Sequence, residues 1–275
     1  MFPINQNSEK VNLAFTKQSE IYDEYEKSNT LLSWMRQQVY DAVLPHLKTG
    51  SKILELNSGT GTDAIFFAKL GFEVLCTDLS DGMIKKISEK IKNENLQNRI
   101  KVFQCSHTEL DKLYNEKFDF IFSNFGGLNC VSDLRLVTTH FPKLLNDGGK
   151  VCLVIMPPIC PWEILQVLKG NFKFAFRRFD KSGADANVEG VSFKTYYFSA
   201  NEIKSALGNE FRIIHKQGLG VFTPIPQMEN FINKYRRLIN LFQKFEKVFS
   251  KHFPFNLVGD HLILIAEYNS IIKQK

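Results

Sequence analysis

The chain has 275 residues, 44% of them hydrophobic, enough for one large domain or for a domain with an appended subdomain, and its net charge of +6 permits an anionic partner without requiring one. Cys76, Cys105, Cys130, Cys152 and Cys160 show no C-x-x-C spacing, so neither a disulfide framework nor a metal site is expected, and a reducing, cytoplasmic setting fits best. The start, "MFPINQNSEK", lacks the basic cap and apolar run of a secretory signal, and the most apolar run, "VCLVIMPPIC", is too short and too interrupted by proline to span a membrane.

The stretch "FTKQSEIYDEYEKSNTLLSWMRQQVYDAVLPHL" places Leu32, Met35, Val39, Val43 and Leu47 at helical spacing and predicts a helix pair ahead of the core. From Lys52 to Met156, short β-rich runs alternate with helical periodicity. The predicted strands are "KILEL", "FEVLCTD", "RIKVFQ", "FDFIFSN" and "KVCLVIM". Between them, helices are predicted from Asp63 to Leu70 with Gly71 as stop, from Ser80 to about Asn95, and from Val131 to Leu145 closed by "NDGG". In the second of these, Ser80 is the expected N-cap and Met83, Ile84, Ile87 and Ile91 form the apolar stripe. Such alternation predicts a doubly wound α/β sheet with its ligand crevice at the carboxyl ends of the strands. Beyond it, "VSFKTYYFS" and "FRIIHKQGLGVF" read as strands around a short helix at "ANEIKSAL". A basic helix is predicted from about Met228 to Phe253, and "DHLILIAEY" as the last strand.

The first loop of the core carries the chemistry. In "ILELNSGTGTDA", Gly59, Gly61 and Ala64 fit the G-x-G-x-x-[GA] fingerprint of dinucleotide sites, and Asp78 ends the second strand near the spacing of a ribose-binding carboxylate. Glu55 and Asp63 argue against a pyrophosphate, because two like charges beside it in a partly desolvated crevice would cost several kcal/mol, on the order of Coulomb energies at short range. A ligand with a sulfonium and an ammonium group removes that conflict.

Four segments in order, "ILELNSGTG", "VLCTDLSDGMI", "FDFIFSNFGGLNCV" and "LLNDGGKVCLVIMPP", are similar to motifs of the class I S-adenosylmethionine-dependent methyltransferases, a resemblance that covers roughly Lys48 to Pro158. It implies a Rossmann-like, seven-stranded, mostly parallel sheet with an antiparallel last strand, helices on both faces and an N-terminal helical lid. It implies S-adenosylmethionine as cofactor, S-adenosylhomocysteine as product, and in-line methyl transfer to a small molecule. The resemblance places Glu55, Asn57, Ser58, Gly59, Thr60 and Gly61 around the cofactor, with Asp78 on the ribose hydroxyls and Leu79 and Met83 beside them. Ser123 and Asn124 would line the methyl-donor end. Asn57 stands where the family has its first glycine, and asparagine accepts left-handed backbone better than most residues. The acidic residue that many members place after the third strand is missing from "QCSHTEL", leaving Ser106 for the adenine amino group. "FTKQSEIYDEY" resembles the lid of small-molecule members, in which Tyr22 would reach the methionine carboxylate and Arg36 would pair with it.

The family's signature is a cofactor site, so the acceptor side is read from residue types alone. Trp162 and Phe125 are candidates for touching the acceptor, and Glu163, His107 and His140 are candidates for a base; helix packing for Trp162 and a first-turn carboxylate for Glu163 account for them at least as well, and a lone histidine is more often structural or solvated than catalytic. No metal is expected. The late helix carries Phe231, Tyr235, Leu238, Phe242, Phe245 and Phe249 with Lys234, Arg236, Arg237, Lys244, Lys247 and Lys251 around it. It suits pocket capping, dimerisation or contact with an anionic membrane, and packing with pocket capping is the expected role. No N-P-P-[YFW] tetrapeptide follows the fourth strand, so a nucleic-acid substrate is not expected. The expected division is a lid at 1–48, a cofactor-binding core at 49–158 and, at 159–275, the rest of the sheet with inserted helices over the acceptor. The alternatives are an NAD(P)-dependent oxidoreductase and a cofactor-binding protein without catalysis.

Overall fold

A computed structural model describes residues 4–270, so the first three residues of the expected lid and the last five of the chain lie outside the described residues. Three helices precede the sheet, α1 (Ile4–Gln18), α2 (Tyr22–Ser28) and α3 (Thr30–Val43), one more than the sequence pattern predicts. The extra break falls at Asn29, whose extended backbone ends α2 and whose side chain caps α3 by accepting from the Leu32 N–H at 3.0 Å.

The five core strands are β1 (Lys52–Leu56), β2 (Glu73–Asp78), β3 (Ile100–Gln104), β4 (Phe118–Ser123) and β5 (Leu145–Ile155). They alternate with α4 (Thr62–Lys69) and α5 (Asp81–Asn93), where Ser80 is the N-cap and accepts from the Met83 N–H. The expected single helix from Val131 to Leu145 is instead two short ones, α6 (Arg135–Thr138) and α7 (Phe141–Leu144). Pro142 sits in the first turn of α7, the one helical place that tolerates a missing N–H, so it starts a helix and cannot lie inside a longer one. "NDGG" then belongs to β5, which joins β4 through a register shift between Phe118 and Phe120.

After β5 come α8 (Pro161–Ile164), α9 (Phe172–Phe176) and a separate hairpin of β6 (Ala184–Val188) and β7 (Val191–Thr195). The hairpin corrects the reading of "VSFKTYYFS": only its first part is a strand, and it pairs outside the main sheet. Glu189 and Gly190 at its tip both have positive φ, 48° and 76°, the conformation that two-residue hairpin turns demand. Then follow α10 (Ala200–Leu207), β8 (Phe211–Leu219), α11 (Glu229–Lys234), α12 (Arg236–Phe249) and β9 (His261–Tyr268). The predicted basic helix is thus broken at Tyr235.

The sheet runs β3-β2-β1-β4-β5-β9-β8, parallel from β3 to β5, with β9 antiparallel to both neighbours. Strand alternation splits the apolar residues between two faces. Ile53, Val74, Phe120, Phe122 and Ile263 pack under α3, α4, α5 and α12, and Leu54, Leu56, Ile121, Leu153 and Leu264 pack under α6, α7 and α10. Among the described residues no helix is long and apolar enough to cross a membrane.

Candidate functional site

The loop from Asn57 to Gly61 turns at the carboxyl edge of the sheet where β1 lies between β2 and β4, the point at which strand order reverses and open α/β sheets bind ligands. Asn57 takes the left-handed conformation, with φ of 48°. Its side chain accepts from the Ser123 hydroxyl at 2.9 Å and donates to the Asn124 carbonyl at 3.3 Å. Gly127 makes room for it, since a Cβ there would collide with the Asn57 side chain. At Gly59, with φ of 56°, nothing stands within 4 Å of where a Cβ would be, so the loop offers bare backbone to open space.

Asp78 fixes this loop from the end of β2. Its two oxygens accept from the Gly59 and Ser80 N–H groups, each at 2.8 Å, and burial raises its pKa from the ordinary carboxylate value. A carboxylate oxygen has a second lone pair, which leaves Asp78 able to accept from a ligand hydroxyl as well.

Two cavities border these elements. The smaller, about 40 Å³, is lined by Tyr22, Arg36, Asn57 to Thr60, Thr62, Asp63, Asn124 and Phe125. The larger, about 370 Å³, is lined by Asn7 and Val11 of α1 with Leu79, Ser106, His107, Cys130, Val131 and Tyr196. Most residues expected at the methionine end therefore gather in the first, Ser123 excepted, and Leu79, expected beside the ribose, and Ser106, expected at the adenine, in the second. Gly61, Asp78, Met83 and Ser123 line neither; Gly61 is the N-cap of α4, Ser123 is fully buried at the end of β4, and Met83 is buried at 2% exposure in the first turn of α5.

Arg36 organises the smaller cavity. It forms ion pairs with Asp63 and Glu26, its guanidinium lies 4.8 Å from the centre of the Phe125 ring, and its Nε is buried without a hydrogen-bond partner. Asp63 is further held by the Tyr40 hydroxyl at 2.6 Å and the Asn124 amide at 3.0 Å. Asp63 thus faces a guanidinium, which corrects its reading as a free charge beside the ligand. The balance nevertheless remains one cation against two carboxylates, a surplus that disfavours a pyrophosphate and suits a ligand carrying positive charge. Together with the unpartnered Nε and the open face of Gly59, it fits an amino-acid moiety with an added cationic centre. Glu55 is 2% exposed and lines neither cavity; burial, and then the nearby Asp63, push its carboxyl well above the usual range.

Helix α2 is clasped to the loop. Asp23 of α2 accepts from the Thr60 hydroxyl at 2.5 Å and from Lys90 at 2.9 Å, and Glu26 accepts from the Thr62 hydroxyl at 2.8 Å. Tyr22 is deeply placed beside Arg36, and burial raises its phenol pKa.

The acceptor-side candidates fare differently. Glu163 is buried against Arg177 and Arg178, with contacts at 2.7 and 2.8 Å; burial alone would raise its carboxyl, but those hydrogen bonds hold it below the usual range, so it is a poor proton acceptor. Trp162 donates its indole N–H to the Phe222 carbonyl at 3.1 Å and packs on Phe231 and Phe242, which commits it to holding α11 and α12. His140 lines neither cavity and contacts the Tyr114 hydroxyl at 2.7 Å. His107 does line the larger cavity, and burial lowers its pKa to about 4, so it is neutral at physiological pH. Sequence reasoning missed Asp23 and Glu26, and it missed His261, which stands 5.5 Å edge-on from the Phe125 ring with Nδ1 3.2 Å from Asp260 Oδ2. The only trace of that pair in the sequence is the dipeptide Asp260-His261 ahead of the last strand.

Residues 53–149 match the family described as "Methyltransferase domain". Demethylmenaquinone methyltransferase of Clavibacter sepedonicus is 29% identical over 147 residues, 51% of this chain and 57% of that protein, so the aligned part spans little more than half of that relative. The enzyme of the same name from Staphylococcus haemolyticus is 28% identical over 193 residues, 68% of this chain and 78% of its own. In structure, an S-adenosylmethionine-dependent methyltransferase from Clostridium acetobutylicum shares the fold with a TM-score of 0.58 at 14% identity, covering 92% of this chain and 98% of that one. Residues 53–149 thus carry a methyltransferase domain, and the chain is similar in sequence to demethylmenaquinone methyltransferases and in fold to an S-adenosylmethionine-dependent methyltransferase.

Proposed function

We propose that this protein methylates a small aromatic, lipid-like acceptor, with Asp78 accepting from the cofactor's ribose hydroxyls and Tyr22 and Arg36 holding its methionine end. The observation that carries this reading is the Asp78 carboxylate, anchored by the Gly59 N–H and bracketed by the two cavities that Leu79 and Gly59 line. The acceptor class is suggested by the demethylmenaquinone named for two relatives and by the aromatic ring of Phe125 in the smaller cavity.

S-adenosylmethionine, when bound, supplies an already activated methyl group, so the chain's task is to bind, orient and exclude water. Arg36 and its two carboxylates give the methionine end a matched set of charges, and the α2 clasp closes over it. Ser106 and neutral His107 offer hydrogen-bonding groups to the adenine in the larger cavity. The lid comprises 1–48, the cofactor core 49–158 and the acceptor side 159–275. All five cysteines are free, which suits work in the cytoplasm.

Thermal unfolding with S-adenosylhomocysteine or NADH tests the reading. A ligand at about a hundred times its dissociation constant adds about 2.7 kcal/mol. S-adenosylhomocysteine should raise the melting temperature and NADH should not, and Asp78→Ala should abolish the rise. Stabilisation by NADH alone, or undiminished binding by Asp78→Ala, would overturn it.

A further inference from the structure

Helix α12 has more apolar surface than its packing uses. Ile239, Phe242, Glu246 and Ser250 recur every three or four residues and form its inner stripe, buried or half-buried against the body of the protein. That stripe is capped from within: buried Glu246 accepts the N–H groups of Val221, Phe222 and Thr223 at 3.0, 2.7 and 3.2 Å. A second stripe, Leu238, Leu241, Phe245, Val248 and Phe249, is 38 to 57% exposed; of these, Phe245 and Phe249 also pack along one edge on Phe222 and Phe255. At about 100° per residue the two stripes lie roughly a third of a turn apart.

The remaining third of the helix is cationic. Arg236, Arg237, Lys244, Lys247 and Lys251 are all exposed, and among the described residues none of them has a carboxylate in ion-pair contact, whereas Lys52, Lys69, Lys86 and Lys90 all do. Packing explains the first stripe and the inner edge of the second, where Phe245 and Phe249 meet Phe222 and Phe255, but it leaves Leu238, Leu241 and Val248 unaccounted for. Trp162 packs on Phe242 of this helix, 5.9 Å between rings, and the segment that follows Trp162 exposes Leu168 at 83% and Phe172 at 59%.

The geometry points to α12 as an interfacial helix that docks on an anionic phospholipid bilayer, its outer apolar stripe entering the acyl boundary and its cations meeting the headgroups. An unpaired cationic face beside an exposed apolar one is what such a surface requires, since each alone binds weakly. A nucleic acid would answer the cations but leave Leu238, Leu241 and Val248 in water. The inference is independent of the reading of the cofactor site.

Co-sedimentation with vesicles tests it, using phosphatidylcholine alone and phosphatidylcholine with phosphatidylglycerol, each at low and high salt. The full chain should bind the phosphatidylglycerol vesicles and be weakened by salt. Leu241→Glu with Val248→Glu, and separately Lys244→Glu with Lys247→Glu, should each lower binding by at least about tenfold. Circular dichroism and the S-adenosylhomocysteine melting shift should be unchanged in both, because the altered side chains are exposed. No binding to anionic vesicles, equal binding to neutral ones, or loss of neither variant's binding would overturn the proposal. So would a dimer in sedimentation analysis that Leu241→Glu with Val248→Glu dissolves, or tight binding of a single-stranded oligonucleotide that this variant retains.

Discussion

A carboxyl group 2% exposed, with the Cys76 thiol at 3.9 Å as its side-chain partner, resists ionisation, and Glu55 at the end of β1 is such a group. Burial is the main cause, the nearby Asp63 adds to it, and Arg36 only partly offsets the two. The sign of the pH effect follows. In the unfolded chain the group loses its proton in the ordinary carboxylate range, while in the fold it keeps it to higher pH. Folding stability from this residue therefore falls as pH rises above the unfolded value, until the folded group ionises too. Glu55→Gln, an isostere of the protonated acid, removes that slope. Its melting temperature relative to the native protein should climb between pH 5 and pH 8, with S-adenosylhomocysteine binding retained. A difference that stays flat across that range, or that falls, would show that Glu55 is ionised in the fold.

Elements close the site more than single residues do. α2 is seven residues long and has no side-chain cap at its N-terminus, so it is too short to persist without tertiary contacts. Asp23 and Glu26 supply those contacts, linking it to Thr60, Thr62, Lys90 and Arg36. Asp23→Ala should free α2 while the core stays intact: amide exchange across 22–28 should quicken, and S-adenosylhomocysteine affinity should fall several-fold, as expected for about 0.5–1.5 kcal/mol per net hydrogen bond. Unchanged exchange would mean that Asp23 is a surface charge with no hold on the helix. The links from α2 to Thr62, Thr60 and Lys90 were not legible in the sequence, because they join residues 36 to 67 positions apart. What was legible obeys local rules. The β1 loop announces itself through Gly59 and Gly61, and Ser80 through the N-cap preference three residues ahead of Met83. The failure at Val131 to Leu145 was also local: apolar spacing suggested one helix, and Pro142 carried the contrary signal.

Across the whole molecule, Arg178 ties its own segment after α9 to the stretch that follows β5 and to the start of β9. Its guanidinium donates to Glu163 after β5 at 2.7 Å, to the Asp260 side chain and backbone at the start of β9 at 2.8 and 2.9 Å, and to the Pro157 carbonyl at 3.3 Å. Cys160, Glu163 and Asp260 converge closely enough to suggest a cation site, but the guanidinium already occupies the position between the two carboxylates. Burial would raise both acids; the charges of His261 and Arg178 bring Asp260 well below the usual range, and Arg177 and Arg178 do the same for Glu163. Depressed carboxylates contribute stability that is present above the unfolded pKa and is lost as pH falls toward the folded value. Arg178→Met keeps the volume and removes the charge, leaving Asp260 and Glu163 buried without their shared partner at a cost of about 3–5 kcal/mol. The loss should be largest at pH 7 and shrink toward pH 4, since protonation then relieves the stranded carboxylates instead of breaking an ion pair. Chemical unfolding at the two pH values measures it, with Arg178→Lys as the control that restores charge without the fork. Its recovery should be partial, because one ammonium cannot reach Glu163, Asp260 and the Pro157 carbonyl in the planar arrangement that the guanidinium provides. An Arg178→Met penalty that grows on acidification would show that the carboxylates do not depend on this residue for their charge.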